Sequence, residues 1–297
     1  MGIVIADRKI ATRPVRVGMA QHRCTDNLTE NHDRAEQAVR DLAAQGAQIV
    51  CLQELFSGTY FCHEENYRYF DWAEPLDGVT VTRFAKLAAD LKLTMIIPFF
   101  ERRAAGVYHN SAVIAGPDGS QLGFYRKMHI PDDPGYYEKF YFTPGDLGFK
   151  AFDTPHGRIA VLICWDQWYP EGARLACLDG AEMLFYPTAI GWNQGEPQLR
   201  DKHAQAWQIS MRGHAVSNGA YVCAVNRVGA EPMVEFWGRS FISDPYGQII
   251  VEASNHEEQN LVTTVELGQV ERTRQEWPFF RDRRIDAFGG IAQRFLR

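Results

Sequence analysis

The sequence predicts a mixed α/β fold in which two sheets pack together and helices cover their outer faces. Short apolar runs alternate with segments of helical periodicity in the first hundred residues, which is typical of strand–helix units. Further along, apolar runs are separated by turn-rich connections, which favours antiparallel hairpins. The strand-like segments are too numerous for one comfortable sheet, so two sheets are expected.

The first part of the chain holds the strand–helix units and one hairpin. Two amphipathic helices are predicted, the first with apolar residues at helical spacing from 35 to 43 and an end at Gly46, the second at 79–91. The turn-rich segment Gly-Pro-Asp-Gly at 116–119 predicts the hairpin connection. Strands are predicted at 15–20, 49–52, 94–100, 108–115 and 121–126.

The second part of the chain alternates in the same way. Helices are predicted at about 172–178 and 199–216, and strands at 158–163, 182–186, 220–225, 237–243, 249–253 and 261–265. The chain has no low-complexity linker and no internal repeat. We therefore expect a single domain over 1–297, with a core at about 15–266 and a C-terminal extension at 267–297.

Charge and hydropathy restrict the partners. The net charge is −6, from 31 basic and 37 acidic residues, so no overall basic field attracts nucleic acid. The apolar run within residues 1–9 is too short for a secretory signal, and no segment approaches the ~20 apolar residues of a membrane span. These features predict a cytoplasmic protein that binds neither nucleic acid nor membrane.

The cysteines and histidines show no spacing typical of a metal site or a disulfide scaffold. Six cysteines are scattered along the chain without a CxxC pair, and no HExxH segment is present. Neither a GxGxxG nor a P-loop segment occurs, which argues against a nucleotide cofactor. We expect no metal and no cofactor.

Cys164 is the candidate nucleophile. It directly follows the apolar run at 159–163 and precedes the segment Trp-Asp-Gln-Trp-Tyr-Pro-Glu at 165–171. A strand that breaks into a turn and then a helix exposes a nucleophile at the edge of a sheet and leaves backbone N–H groups free for developing negative charge. The alternative is an ordinary buried core cysteine.

Two further polar residues end predicted strands. Glu54 follows the apolar run at 49–52, and a carboxylate at that position can act as a general base whose pKa burial raises. Lys127 follows the strand at 121–126, and an ammonium near a thiol stabilises the thiolate and can donate to an oxyanion. The alternatives are a solvated strand end for Glu54 and a surface lysine for Lys127.

The order Glu, Lys, Cys at three strand ends supplies the base, the oxyanion donor and the nucleophile of acyl transfer. With these residues the sequence resembles the nitrilase superfamily of carbon–nitrogen hydrolases. Its three motifs are similar to Leu-Gln-Glu-Leu-Phe at 52–56, Tyr-Arg-Lys-Met-His at 125–129 and Ile-Cys-Trp-Asp at 163–166. The resemblance extends from about residue 15 to residue 288.

This resemblance implies an α/β fold of four layers, an αββα sandwich of two packed mixed sheets with outer helices. It implies homo-oligomers built from dimers. It also implies a second glutamate, Glu138, that helps to position the substrate and the lysine. In this chemistry the backbone N–H of Trp165 shares the oxyanion with Lys127, and no cofactor takes part.

Within the superfamily, four segments are similar to the N-carbamoylputrescine amidohydrolases, at 129–136, 164–171, 186–191 and 277–284. This similarity implies a small carbamoylated amine as substrate, and hydrolysis of its ureido group to the amine, carbon dioxide and ammonia. Candidate substrate contacts are His129, Trp168, Thr188 and Asp132. Asp132 and its neighbour Asp133 are candidates for the amine tail, with a solvated loop as the alternative.

A charge argument favours the same substrates. Relatives that act on N-carbamoyl D-amino acids carry arginines shortly after the cysteine, where this chain has Gln167 and Trp168, so a bidentate carboxylate clamp is missing. Two loops, at 191–199 and 228–232, depart from the plant-type enzymes, and the preferred amine differs if they line the tail pocket. Four other functions remain possible for this sequence: a β-ureidopropionase, an ω-amidase, a glutaminase module or a catalytically silent scaffold protein.

Overall fold

The computed structural model describes residues 10–193 and 199–297, which form fifteen strands and five α-helices in that part of the chain. The strands are β1 Pro14–Gln21, β2 Ile49–Cys51, β3 Thr94–Ala104, β4 Val107–Ala115, β5 Gln121–Arg126, β6 Ala151–Thr154, β7 Gly157–Val161, β8 Met183–Pro187, β9 Gly191–Asn193, β10 Tyr221–Val225, β11 Val228–Ala230, β12 Val234–Trp237, β13 Phe241–Ser243, β14 Ile249–Glu252 and β15 Gln259–Glu266. The helices are α1 Leu28–Ala44, α2 Val79–Leu91, α3 Pro170–Leu178, α4 Arg200–Asn218 and α5 Gly268–Glu276.

Two six-stranded mixed sheets dominate the fold. The first has the order β15-β1-β2-β3-β4-β5, and the second has the order β14-β13-β10-β8-β7-β6. Strands β1, β2 and β3 run parallel, as do β7, β8 and β10, while the outer strands add antiparallel pairs. A third sheet, β11-β12-β9, has three short strands.

The packing makes four layers. The inner faces of the two large sheets meet in a core that includes Val17 and Ile49 from one sheet and Ile159 and Cys223 from the other. Helices α1 and α2 cover the outer face of the first sheet, and helices α3 and α4 cover that of the second. The expected αββα sandwich is confirmed.

The N-terminal elements follow the sequence pattern closely. Helix α2 spans the predicted residues, and α1 ends at Ala44, two residues before Gly46, whose φ of +83° suits a glycine. The predicted hairpin connects β4 and β5, and its turn is closed by a hydrogen bond of 2.9 Å from the N–H of Gly119 to the carbonyl of Gly116.

The single strand predicted at 237–243 is wrong. The chain instead leaves β12 after Trp237, turns through Gly238 and Arg239 at φ values of +56° and +54°, and enters β13 in a different sheet. A Cβ on Gly238 would lie 2.7 Å from the carbonyl oxygen of Ser254, so only glycine fits this turn. Hydrophobicity continues through the turn, which is why periodicity does not reveal it.

Two segments discussed above lie outside the described residues: the apolar run at 1–9 and positions 194–198 of the divergent loop at 191–199. Among the helices that the structure describes, none is both long and apolar enough to cross a membrane.

Candidate active site

Cys164 lies at the end of the chain segment that follows β7, where it begins a short 3-10 helix, Cys164–Trp168. Its backbone has a φ of +44°, a left-handed conformation that is strained for a non-glycine residue. The residue is 3% exposed, and its side chain nevertheless borders a cavity. Cys164 is therefore buried and at the same time in contact with a cavity.

Lys127 is fully buried between two carboxylates. Its Nζ donates to Glu54 Oε1 at 2.8 Å and to Glu138 Oε2 at 2.6 Å, and all three side chains have 0% exposure. This burial excludes a surface lysine and a solvated strand end. An ammonium has three N–H groups, so one remains for a further acceptor.

Two other side chains hold the carboxylates. Asn110, on β4, donates to Glu54 Oε1 at 2.7 Å, and the hydroxyl of Tyr60 donates to Glu138 Oε1 at 2.6 Å. In the described part of the chain no donor reaches the second oxygen of Glu54, Oε2, although it is buried. That oxygen is free to accept a proton.

Burial and the neighbouring charges shift the pKa values of three groups in the cluster. Burial alone lowers the pKa of Lys127, but the carboxylates of Glu138 and Glu54 outweigh it and hold that pKa well above its ordinary value. Burial, with the nearby charge of Glu54, raises the pKa of Glu138 to about 7, against the opposing effect of Lys127. Burial and the Glu54 carboxylate also raise the pKa of the Cys164 thiol well above its ordinary value. The thiol therefore keeps its proton until a base removes it.

Asp166 connects the cysteine turn to the lysine strand. Its Oδ2 accepts the N–H of Ile163 at 2.9 Å and the hydroxyl of Tyr125 at 2.7 Å. Its Oδ1 accepts the N–H of His129 at 3.0 Å and lies 2.7 Å from that ring's Nδ1. One buried carboxylate thus binds residues on both sides of Lys127 and the residue before Cys164.

A cavity of about 660 Å³ opens at Cys164. Its lining is mainly apolar and aromatic, as in small-molecule sites. The described residues that line it are Pro131, Asp133, Pro134, Tyr136, Cys164, Trp165, Trp168, Ile190, Gly191, Asn193, His203, Ala206 and Trp237. Among these, Asp133 is the one carboxylate, and no lysine or arginine is present.

The candidate contact residues fall into different places. Trp165 and Trp168 line the cavity, whereas the exposed Asp132 is not among its described lining residues. Thr188 is buried, and its hydroxyl donates to the carbonyl of Tyr186 at 2.9 Å. His129 binds Asp166, as described above.

His129 also stacks on the ring of Tyr169, with ring centroids 3.7 Å apart. The His129 ring thus contacts Asp166 and Tyr169, and like Asp132 it is not among the described residues that line the cavity.

Neither Gln167 nor the segment 228–232 is among the described lining of the cavity. Gln167 is fully buried, and its side-chain oxygen accepts the indole N–H of Trp207 at 2.7 Å, so it does not face the cavity. The described loop at 228–232 contributes no residue to the cavity lining. Its acidic residue, Glu231, instead forms an ion pair of 2.9 Å with Arg227.

Sequence reasoning did not single out Tyr60, Asn110 or Asp166. Asp166 carries a signal, because it lies two residues beyond the cysteine in the segment that breaks the strand. Tyr60 and Asn110 carry none, since one lies in a loop and the other in the middle of an antiparallel strand. In the described residues, no group of three or more histidine, cysteine or acidic side chains is placed to hold a metal ion.

Comparison with known sequences finds carbon-nitrogen hydrolases and amidases. The sequence model of the family "Carbon-nitrogen hydrolase" matches residues 16–275. An N-carbamoylputrescine amidase of Oryza sativa subsp. japonica is 46% identical over 284 residues, covering 92% of this chain and 93% of the relative. A citrullinase of Francisella tularensis subsp. tularensis (strain SCHU S4 / Schu 4) is 40% identical, covering 95% of this chain and 99% of the relative.

A solved structure of a carbon-nitrogen hydrolase has a similar fold. The crystal structure of a carbon-nitrogen hydrolase from Helicobacter pylori G27 superposes with a TM-score of 0.92 at 40% identity, and covers 95% of this chain and 100% of that one.

Proposed function

This chain belongs to the carbon-nitrogen hydrolase family, and from that premise we propose that it hydrolyses N-carbamoylputrescine to putrescine, carbon dioxide and ammonia, with Cys164 as nucleophile. The observation that carries the proposal is the buried cluster of Glu54, Lys127 and Glu138 beside a strained cysteine turn that faces a cavity. It supplies a base, a cation and a nucleophile in a site from which most water is excluded.

In the first half of the reaction, Glu54 Oε2 takes the thiol proton as the sulfur of Cys164 attacks the ureido carbon. The base is needed because the thiol pKa is raised and few thiolates form unaided. The remaining N–H of Lys127, with the backbone N–H of Trp165, donates to the oxyanion. Glu54 then protonates the terminal nitrogen, ammonia leaves, and a carbamoyl thioester remains on sulfur.

In the second half, Glu54 takes a proton from water, and the hydroxide attacks the thioester carbon. The carbon–sulfur bond breaks, the proton returns to sulfur, and an N-substituted carbamic acid is released. Loss of carbon dioxide from that acid gives the free amine. The sum is one ureido group and one water giving one amine, one carbon dioxide and one ammonia.

Two observations support putrescine as the amine that the reaction releases: the name of the rice relative, and the side chains that line the cavity. N-carbamoylputrescine carries an ammonium and no carboxylate. Asp133 is the carboxylate among the described lining residues, and it is placed to attract an ammonium, while Trp165 and Trp168 can contact an aliphatic chain and its cation. We assign the tail contact to Asp133 and Trp168 rather than to Asp132, which is exposed and outside that lining.

Citrulline is the second candidate, because the Francisella relative carries the name citrullinase. It has the same ureido chain but ends in an amino acid, so its carboxylate needs a cationic or N–H-rich partner. The described lining offers no lysine or arginine for that carboxylate, and His203 is its one basic side chain. We therefore rank citrulline below N-carbamoylputrescine.

We also propose that the protein acts in the cytoplasm, in polyamine biosynthesis, as a homo-oligomer built from dimers. Large apolar side chains near the C-terminus support an oligomer, since Ile285, Phe295 and Leu296 are 74%, 82% and 74% exposed. Light scattering after gel filtration measures the mass, and a monomer at micromolar concentration contradicts the oligomer.

The function is tested by ammonia release from N-carbamoylputrescine, citrulline, N-carbamoyl-β-alanine and an ω-amide, with Cys164→Ala as the blank. We expect the highest kcat/KM on N-carbamoylputrescine. A preference for citrulline keeps the chemistry and changes the amine, whereas no cysteine-dependent release from any ureido compound rejects the proposal.

A further inference from the structure

We infer that Arg227 and Glu231 are positioning residues, which together hold the backbone of Glu54 in place for proton transfer; this inference rests on the function proposed above. Arg227 lies between β10 and β11 and has 0% exposure. Its Nη2 donates to the carbonyl oxygens of Glu54 and Leu55, both at 2.9 Å. We call the pair Arg227–Glu231 the clamp.

The segment that carries Glu54 needs such a contact. Leu55 has a φ of +48°, a left-handed conformation that is unfavourable for leucine, so the backbone there does not hold its shape by local preference. The turn leaves the carbonyls of Glu54 and Leu55 buried beyond the end of β2, where a buried carbonyl without a donor is costly. Arg227 supplies that donor to the carbonyl of Glu54, and it adds a shorter hydrogen bond to the carbonyl of Leu55, which also accepts the N–H of Gly58 at 3.4 Å.

The clamp also reaches the far end of the same segment. Arg227 Nη1 donates to the carbonyl of Gly58 at 3.3 Å and to Glu231 Oε1 at 2.9 Å. The other oxygen of Glu231 accepts the backbone N–H of Tyr60 at 2.6 Å. The residues from Glu54 to Tyr60 are thereby bound at both ends by one ion pair.

Through Tyr60 the clamp extends to the second carboxylate of the site. The backbone of Tyr60 is held by Glu231, and its hydroxyl donates to Glu138 Oε1 at 2.6 Å. Glu54 and Glu138 are the two carboxylates that bind Lys127. One ion pair thus positions both of them without lining the cavity itself.

Arginine is the side chain that this task requires. Its planar guanidinium presents several N–H groups in a fixed fork and here binds three carbonyls and a carboxylate at once. A lysine carries its donors on one atom and cannot span them. Glu231 balances the buried charge, which would otherwise be unfavourable.

The direct test compares two single variants, Arg227→Lys and Glu231→Gln, with the wild type. Because neither side chain is among the described lining of the cavity, we expect KM to stay within about twofold, while kcat falls about 10- to 100-fold from displacement of Glu54. Arg274→Lys is the matched control, since Arg274 also donates to two backbone carbonyls, those of Asn218 at 3.1 Å and Ala181 at 2.7 Å. Its kcat should be unchanged even where its melting temperature falls.

A double variant distinguishes positioning from general stabilisation. If Arg227 acts through Glu54, the combined loss in Arg227→Lys, Glu54→Asp is smaller than the product of the two single losses, because the base is already displaced. Independent losses that multiply contradict the inference. So does a kcat within twofold of the wild type in folded Arg227→Lys and Glu231→Gln proteins.

If Arg227→Lys does not fold, Glu231→Gln and Glu231→Asp decide the matter, since Glu231 lies at the edge of the buried region, with a side chain that is 9% exposed. Failure of the proposed function has a different signature. In that case Glu54→Asp itself keeps full turnover, or the wild type acts on no ureido substrate. An impaired Glu54→Asp beside a normal Arg227→Lys rejects the clamp alone.

Discussion

Lys127 Nζ lies 2.8 Å from Glu54 Oε1, although the two residues are 73 positions apart and follow strands separated by two others in the same sheet. The contact is possible because β2 and β5 run in the same direction, so both strands end at the same edge of the sheet. The buried ammonium is the centre of the site, since both carboxylates depend on it for a counter-charge.

The nucleophile is tested by Cys164→Ala. We expect turnover of the preferred ureido substrate to fall by several orders of magnitude, with little change in melting temperature, because the thiol supplies the covalent step. Cys177→Ala is the matched control: that cysteine lies on α3, is 2% exposed, packs in the core beneath the helix and is not among the described lining of the cavity. It should lose some stability and keep its kcat. Equal turnover of the two variants would remove Cys164 from the mechanism.

The ion cluster is tested by Lys127→Gln. Removing the cation leaves two buried carboxylates facing each other, and we expect the free energy of unfolding at pH 8 to fall by about 3–5 kcal/mol. Lys86→Gln is the control, because Lys86 pairs with Asp90 at 2.6 Å with a side chain that is 74% exposed, and its loss should change stability by no more than about 0.5 kcal/mol. Urea unfolding measures both, and similar losses in the two variants would contradict the buried-pair description.

The pH dependence of stability is tested by Glu138→Gln. Burial raises the pKa of Glu138 from 4.5 to about 7, so between these values the folded protein holds a proton that the unfolded chain has lost. This contribution is complete below pH 4.5 and disappears as pH rises through about 7. Relative to the variant, the wild type should therefore lose about 3 kcal/mol of stability between pH 5 and pH 8. A pH-independent difference between the two unfolding free energies would refute the raised pKa.

The amine tail is tested by the neighbouring pair Asp133→Asn and Asp132→Asn. Asp133 lines the cavity and Asp132 does not, while both are exposed. We expect Asp133→Asn to raise KM for N-carbamoylputrescine about threefold to tenfold with kcat little changed, as suits one exposed ion pair. Asp132→Asn should leave both constants unchanged. The reverse pattern would return the contact to Asp132.

The sequence is informative wherever a polar residue interrupts an apolar run. Glu54, Lys127 and Cys164 each follow a buried strand, so their closeness can be expected once the strands are recognised. The choice between Asp132 and Asp133 cannot be made in this way, because it depends on the path of a loop without periodicity. Tyr60 is equally hidden, since its role comes from a hydrogen bond to a residue 78 positions away.

The same limit applies to the fold. The bounds of amphipathic helices and of apolar strands are predicted to within a few residues, and those of α2 are predicted without error. The division at Gly238 and Arg239 is set by backbone conformation beside Gln21 and Ser254, which are distant in sequence. Short strands such as β9 and β11, of three residues each, carry too little pattern to be recognised.

The first sheet contributes Glu54 and Lys127, and the second contributes Cys164. On the proposed function, neither half of the sandwich alone holds the full set of groups, and turnover requires that the two sheets are packed together. Because Glu54 and Lys127 precede Cys164 in the chain, the base and the cation are synthesised before the nucleophile that they are proposed to serve. Turnover would then report directly on how the two halves are joined, because a change in their packing separates the nucleophile from its base.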